Sequence, residues 1–214
     1  MKALVLHSGG LDSTLCVLLA MEARREVVSL GVDYGQRHRI ELEYAAAQCR
    51  RYGVERRLLR VEWDKPPRAI PTGRSVAEMR TGVSPAFLPG RNAVFLTLAC
   101  AEAAGIDAGE VWIGVNALDF SGYPDCRPQF IDAFKAMVES AMPSGPQVVT
   151  PLMHMSKPDI AREALRLGLV QGDTWSCYTP LFATGGISPC GSCDACVLHA
   201  YAWQNAVTRG VSDS

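Results

Sequence analysis

Short apolar segments alternate with longer segments of helical periodicity over the first 170 residues of the chain. Residues 4–7 and 27–33 are apolar runs that predict buried strands, and Leu15, Leu18 and Leu19 have the i, i+3, i+4 spacing of a helix over 12–24. The same alternation predicts strands at 57–61, 111–115 and 148–149 and helices at 37–52, 92–104, 128–142 and 158–167. Strands that alternate with helices form a parallel sheet covered on both faces. We therefore predict a doubly wound, Rossmann-like α/β fold with a parallel sheet.

The overall composition is that of a globular protein without a strongly charged surface. Hydrophobic residues make up 48% of the 214 residues, charged residues make up 20%, and the formal net charge is −1. Such a balance does not favour a nucleic-acid or membrane partner. No segment reaches the ~18 consecutive apolar residues of a membrane span, and residues 1–6 are too short for a signal peptide. We expect a cytoplasmic protein.

A glycine-rich loop follows the first predicted strand directly. It reads SGGLDS at residues 8–13 and opens the first predicted helix. Two glycines allow a tight turn, and the exposed N–H groups of a helix N-terminus favour a phosphate. Asp12 fits beside a phosphate if Mg²⁺ lies between them. The alternative is a tight turn with helix-capping Asp and Ser; the Gly-Lys-Ser/Thr ending of a Walker loop is not present.

Four of the eight cysteines are close together near the end of the sequence, at Cys177, Cys190, Cys193 and Cys196. Four thiolates suit a closed, tetrahedral zinc site, which would be structural. An iron–sulfur cluster is the competing interpretation of the same spacing. We expect one metal-binding segment at 171–214, appended to an α/β domain at 1–170.

Further strings lie in loops next to predicted strand and helix ends, where α/β folds place their ligands. They are DYGQRH at 33–38, PGRN at 89–92, DFSGYPDCR at 119–127 and TPLM at 150–153, followed by Lys157. The loop SGGLDS resembles the PP-loop of N-type ATP pyrophosphatases, the adenine nucleotide alpha-hydrolase-like fold. With the other strings and the cysteines, the chain resembles the 7-cyano-7-deazaguanine synthase (QueC) family from Lys2 to Cys196.

This resemblance implies an ATP-dependent ligase. In the family, 7-carboxy-7-deazaguanine is adenylated, ammonia displaces AMP to give an amide, and a second ATP drives dehydration to the nitrile of queuosine-type deazapurine biosynthesis. The small-molecule substrates would be ATP, the deazaguanine and ammonia, with Mg²⁺ accompanying ATP and one structural Zn²⁺ per chain. The family also suggests a homodimer.

The resemblance also implies the site residues. We expect catalytic roles for Asp12, Arg91 and Lys157. We expect ATP to contact His7, Ser8, Gly9, Gly10, Leu11, Asp12, Ser13, Thr14, Asp33, Tyr34, Arg37 and Gly114. We expect the substrate to contact Arg91, Asn92, Asp119, Phe120, Tyr123, Asp125 and Cys126. Phe120 and Tyr123 can stack on a flat ring, and Asp119 or Asp125 can accept hydrogen bonds from a guanine-like edge. Asp125 could instead cap the helix that begins near Pro128.

Two other functions remain open. A related ligase could transfer the same acyl-adenylate to a different amine, and the long spacer between Cys177 and Cys190 leaves room for that alternative. A PP-loop tRNA-modifying enzyme would need a basic face. The arginines at 50, 51, 56, 57 and 60 are interleaved with Glu55 and are better explained as a solvated face. Residues 62–86 are expected to form a loop or lid.

Overall fold

A computed structural model describes residues 1–36, 39–62, 70–117 and 119–208 of the chain. The strands are β1 (Lys2–Leu6), β2 (Glu26–Asp33), β3 (Glu55–Arg60), β4 (Glu110–Trp112), β5 (Gln147–Val149), β6 (Leu181–Ala183) and β7 (Gly186–Ser188). The helices are α1 (Leu11–Glu22), α2 (Ile40–Tyr52), α3 (Val76–Met79), α4 (Arg91–Gly105), α5 (Asp119–Gly122), α6 (Pro128–Ala141), α7 (Lys157–Arg166) and α8 (Asp194–Thr208). Short 3₁₀ turns occur at Pro124–Cys126 and Gln171–Asp173.

The first five strands form one parallel sheet in the order β3-β2-β1-β4-β5. In the register of the sheet, Leu4 of β1 lies between Val28 of β2 and Val111 of β4. The chain leaves β1 toward β2 and β3, and later returns to add β4 and β5 on the other side. This reversal creates a switch point at the carboxyl ends of β1 and β4, where α/β folds bind their ligands. The predicted doubly wound α/β fold is confirmed.

Two hydrophobic clusters cover the two faces of the sheet. The first includes Leu15 of α1, Ile160 of α7 and Trp203 of α8. The second includes Leu96 of α4 and Ile131 of α6. Each fully buried aliphatic side chain contributes about 1.5–3 kcal/mol. Since α8 packs in the first cluster, the cysteine-bearing segment and the α/β core share one apolar interior.

The predicted elements agree with the structure to within a few residues. Residues 70–86 contain the single-turn helix α3, which Ser75 begins with a capping box to Glu78. The antiparallel hairpin of β6 and β7 fills the spacer between the first two clustered cysteines, and the sequence analysis did not predict it.

Within the described residues, no helix is both long and apolar enough to cross a membrane.

The expectation of a wholly solvated arginine face is wrong for Arg56. Its Nη1 donates to Ser29 Oγ at 3.0 Å and to the His7 carbonyl at 3.4 Å, so the guanidinium lies partly beneath the sheet edge. Gly31 on β2 makes this possible, because a Cβ there would lie 2.6 Å from Arg56 Nη2. The arginine therefore supports the interior of the fold.

Candidate active site

A cavity of about 350 Å³ opens at the carboxyl edge of the sheet. Leu6 and Val32 line it at the ends of β1 and β2, and Ile113 and Gly114 line it just after β4. This is the switch point of the strand order, and the volume suits a small organic ligand. Residues from both the α/β core and the cysteine-bearing segment complete its wall.

Gly9 shapes the loop beneath this cavity. Its φ of +96° lies in the region that favours glycine. A Cβ at this position would lie 2.2 Å from the Glu41 carbonyl oxygen and 2.8 Å from the Ala45 nitrogen, both of them backbone atoms. The Gly9 carbonyl in turn accepts a hydrogen bond from the Trp175 amide at 3.1 Å. Helix α2 and residue 175 thus enclose the loop from two sides, and only glycine fits between them.

The N-terminus of α1 faces the cavity without a side-chain cap. Gly10 is the N-cap residue and has no side chain to satisfy the first N–H groups of the helix. Ser8 Oγ and Ser13 Oγ lie 3.1 Å apart at the same place. A row of amide and hydroxyl donors at a helix N-terminus can bind a phosphate or another anion.

A polar centre joins Asp12 to Lys157 above the loop. Lys157 Nζ donates to Asp12 Oδ2 at 2.6 Å, and Asn116 Nδ2 bridges Asp12 Oδ2 at 3.2 Å and Asp119 Oδ2 at 2.7 Å. Asp12 Oδ1 is buried and has no hydrogen-bond partner among the described residues. A buried carboxylate oxygen in this state is a fitting ligand for a cation.

The charges of this centre shift the pKa values of its members. Burial lowers the pKa of Lys157, but the carboxylates of Asp12 and Asp119 outweigh it and the net shift is upward, so the ammonium stays charged. Burial raises the pKa of Asp119 to about 6, with Lys157 opposing the shift and Asp12 adding to it. Such shifts are typical of functional sites.

The sequence analysis missed Asn116. It is fully buried and stands three residues after Ile113, where the chain leaves β4 at the carboxyl edge of the sheet. A polar residue just after an apolar strand, at the edge of the sheet where α/β folds bind their ligands, was the feature of the sequence that could have indicated this site residue.

Aromatic side chains gather around Arg91 at the other end of the cavity. The guanidinium of Arg91 lies close enough to Tyr34, Tyr123 and Tyr178 to interact with their hydroxyl groups. Tyr34 packs on Phe95 with a 5.3 Å separation of ring centroids. An arginine that is always charged, next to several tyrosines, suits a flat anionic ligand.

Asp125 supports the start of α4. Its Oδ2 accepts a hydrogen bond from the Asn92 amide at 3.0 Å, so it satisfies the N-terminus of α4 and not that of the helix near Pro128. Asn92 Nδ2 lies 3.1 Å from Cys126 Sγ. Burial, together with Asp119 and Asp125, raises the pKa of Cys126, so its thiol stays protonated.

The structure brings most of the predicted site residues to one cavity. The wall includes His7, Ser8, Gly10, Leu11, Asp12, Ser13, Tyr34, Arg91, Asn92, Gly114, Asp119, Tyr123, Cys126 and Lys157. Gly9, Thr14, Asp33 and Asp125 stand behind that wall, within the described part of the chain. Thr14 Oγ1 donates to the Gly10 carbonyl at 2.7 Å, and Asp33 pairs with Arg39. Arg37 and the side chain of Phe120 lie outside the described residues.

A buried hydrogen-bond chain lies under the glycine loop. His7 Nδ1 lies 2.9 Å from Ser29 Oγ, and His7 Nε2 lies 2.8 Å from Gln48 Oε1. Gln48 Nε2 then donates to the carbonyls of Gly9 at 3.2 Å and Asp173 at 2.6 Å. Burial, with the charge of Arg56, lowers the pKa of His7 to about 3, so the imidazole is neutral. The sequence analysis did not single out Gln48.

The four clustered cysteines meet as the spacing predicted. Their Sγ atoms all lie within 4.8 Å of one another, with Cys190 and Cys196 3.9 Å apart. Four thiolates around one tetrahedral zinc at ~2.3 Å would be separated by about 3.8 Å. The amides of Cys190 and Cys193 point at the Sγ atoms of Cys177 and Cys190, at 3.2 and 3.4 Å. This group of thiols can hold a metal ion.

The parallel sheet, the glycine loop at a helix N-terminus and the ion pair above it are typical of α/β enzymes that bind a ligand with a phosphate group. Among solved structures, the fold is similar to the NMN synthetase from Francisella tularensis, with a TM-score of 0.51 over 80% of this chain and 63% of that one. At 12% identity, this likeness concerns the fold alone.

The sequence comparisons are more specific. The family described as "Queuosine biosynthesis protein QueC" matches residues 2–207, so the chain belongs to this family. The protein named 7-cyano-7-deazaguanine synthase 2 from Rhodopseudomonas palustris (strain HaA2) is 56% identical over 203 residues, covering 95% of this chain and 97% of the relative. The 7-cyano-7-deazaguanine synthase of Novosphingobium aromaticivorans is 43% identical, covering 95% of this chain and 90% of the relative. The predicted family is confirmed.

Proposed function

We propose that the chain is an ATP-dependent 7-cyano-7-deazaguanine synthase. It would convert 7-carboxy-7-deazaguanine and ammonia to the nitrile and release AMP and pyrophosphate. The observation that carries the proposal is the cavity itself. It places an anion-binding loop, the Asp12–Lys157 pair and an arginine among tyrosines along one wall. The names of relatives that match nearly the whole chain support the same activity.

The residues suit each step of this reaction. In the first step, an oxygen of the substrate carboxylate attacks the α-phosphorus of ATP and pyrophosphate leaves. The α1 N-terminus and the hydroxyls of Ser8 and Ser13 would bind the departing phosphates. Lys157 would stabilise negative charge that develops in the transition state, since its ammonium stays protonated. Catalysis of this kind needs positioning and charge stabilisation and no protein nucleophile.

Ammonia then attacks the acyl carbon, AMP leaves, and the amide forms. In the second round, the amide oxygen attacks the α-phosphorus of another ATP, and pyrophosphate and one N–H proton leave. Departure of AMP with the second N–H proton then gives the nitrile. Arg91 would hold the substrate carboxylate or a phosphate, and Tyr123 and Phe120 would contact the flat ring. Asn92, Asp119 and Cys126 would complete the substrate site, with Asp125 acting through the helix that it caps.

Two ions are proposed with this activity. Asp12 would hold Mg²⁺ through the partnerless Oδ1, and the ion would neutralise phosphate charge when bound. Cys177, Cys190, Cys193 and Cys196 would hold one structural Zn²⁺, since four thiolates leave no open coordination position. An iron–sulfur cluster would add charge-transfer absorption that zinc lacks, so metal analysis with a visible spectrum separates the two.

Mass spectrometry of a complete reaction tests the function. Purified protein would be incubated with 7-carboxy-7-deazaguanine, ATP, Mg²⁺ and ammonium, with Asp12→Asn as the inactive control. A nitrile product together with AMP is the expected result. AMP with an amide conjugate would indicate a different amine acceptor, and no AMP would contradict the proposal.

The assembly and location are proposals as well. The family resemblance leads us to propose a cytoplasmic homodimer without a nucleic-acid partner. Light scattering coupled to size-exclusion chromatography would give the mass in solution. An RNA-binding assay in graded salt would detect phosphate contacts, because these weaken steeply as salt rises.

A further inference from the structure

Four acidic side chains line the cavity within the described part of the chain: Asp12, Glu41, Asp119 and Asp194. Asp12 pairs with Lys157, and Asp194 pairs with Arg74. Asp119 accepts from Asn116 beside that same lysine. Neither Asp119 nor Glu41 takes part in an ion pair of the described residues, but Asp119 belongs to the polar centre of Asp12 and Lys157, and Glu41 does not.

Glu41 has few polar partners in the cavity wall. Its Oε1 accepts one hydrogen bond, from Gln36 Nε2 at 3.2 Å. Tyr34, Tyr178 and Arg91 stand close enough to interact with its charge. Burial raises the pKa of Glu41 to about 7, and Arg91, the Gln36 hydrogen bond and Arg56 oppose that shift. A buried cavity acid that accepts one hydrogen bond, lies among tyrosines and forms no ion pair within the described residues is a candidate for ligand recognition.

The proposed substrate supplies the matching chemistry. The pyrimidinone edge of a 7-deazaguanine carries two parallel donors, the ring N1–H and the exocyclic amino group. A carboxylate accepts two such bonds side by side. The adenine edge of ATP instead sets one amino donor beside a ring nitrogen acceptor, which repels a carboxylate.

We propose that Glu41 recognises the N1–H and 2-amino edge of the deazaguanine and sets the purine specificity of the site. This inference rests on the proposed function. The carboxylate of Asp125 already accepts a hydrogen bond from the Asn92 amide behind the cavity wall. The carboxylate of Asp119 accepts one from Asn116 Nδ2 near the ATP loop. Glu41 lies on α2 near Tyr34 and Tyr178, and the 7-carboxyl group of a deazaguanine bound through its N1–H and 2-amino edge would point away from Glu41.

Steady-state kinetics of Glu41→Gln test this assignment. An amide can accept from only one donor and turns its own NH₂ toward the other. We expect the KM for 7-carboxy-7-deazaguanine to rise at least tenfold, while the KM for ATP stays within twofold. Glu41→Asp should recover part of the loss. Glu43→Gln is the matched control, because Glu43 is exposed on the same helix two residues further on.

A substrate analogue without the 2-amino group, 7-carboxy-7-deazahypoxanthine, completes the test on the unmodified protein. The parent protein should use the analogue at least tenfold less efficiently, and Glu41→Gln should discriminate much less between the two. Retained discrimination in Glu41→Gln, or a rise in the KM for ATP alone, would overturn the assignment. AMP formation by the parent protein with the natural substrate checks the proposed function separately, and it does not depend on Glu41.

Discussion

Replacement of Gln48 by leucine would break the hydrogen-bond chain beneath the glycine loop. Gln48 is 4% exposed and lies at the centre of this chain. Its amide accepts from His7 and donates to the carbonyls of Gly9 and Asp173. Leucine has a similar size, so the change removes polar contacts without opening a large cavity. The two carbonyls belong to the glycine loop and to the segment that leads to Cys177, so the loop loses one of the contacts that fix it.

The magnitude follows from four lost hydrogen bonds at about 1 kcal/mol each, since Thr14 Oγ1 also donates to Gln48 Oε1 at 3.1 Å. Because the substitution also leaves buried polar groups without partners, we expect a loss of about 3–5 kcal/mol in the free energy of unfolding. A domain of this size loses roughly 2–4 °C in Tm per kcal/mol, so the Tm should fall by about 6–20 °C. The KM for ATP should rise about tenfold, because the loop is displaced from its binding geometry. This factor corresponds to a loss of about 1.4 kcal/mol in binding free energy.

Thermal unfolding and AMP release measured over a range of ATP concentrations would test this prediction. Thr97→Ala is the control, since Thr97 makes one local bond to the Ala93 carbonyl on the exposed face of α4. Its effect should stay within about 0.5 kcal/mol. A Gln48→Leu protein with an unchanged Tm and an unchanged KM for ATP would refute the role of this chain in positioning the loop.

Three further predictions address the loop, the ion site and the cysteines. Asp12→Asn should abolish AMP formation with the fold intact by circular dichroism, because the carboxylate charge that would hold Mg²⁺ is lost; normal turnover would contradict the Mg²⁺ assignment. Gly9→Ala should lower both Tm and ATP affinity, because its Cβ meets backbone at 2.2 Å, whereas Gly53→Ala, with φ of +67° and open space around it, should cost only about 1 kcal/mol. Cys193→Ser should reduce bound metal below one per chain by elemental analysis and lower Tm, and full metal retention would argue against a four-thiolate site.

Much of the fold could be predicted because it depends on local patterns. The β2 strand is apolar over nearly its whole length, as a strand buried on both faces must be, and α1 has its leucines on helical spacing. The cysteine cluster was also accessible, since three of its ligands fall within seven residues. In these cases the residues that matter are close in sequence or repeat with a simple period.

The site residues that were missed depend on tertiary assembly. Gln48 reaches Asp173 across 125 residues, and Asn116 reaches Asp12 across 104. Asp125 was expected either at a guanine-like edge or at the helix near Pro128, yet its carboxylate meets an amide of α4, 33 residues earlier. When a side chain can form a hydrogen bond with either of two partners, the local sequence does not indicate which partner it meets, because the packing of distant elements decides this.

The four cysteines can be understood through the same contacts. A metal ion bound by all four thiolates would offer no position to a substrate, so its role would be structural. Cys177 follows Trp175, whose amide donates to the Gly9 carbonyl at 3.1 Å and whose indole donates to the Cys177 carbonyl at 3.0 Å. The backbone of Cys193 pairs with that of Thr72 in an isolated antiparallel β-bridge, and the carboxylate of the next residue, Asp194, forms an ion pair with Arg74. A metal ion held by these thiols would therefore hold in place both the glycine loop and the part of the cavity wall formed by Arg74 and Asp194.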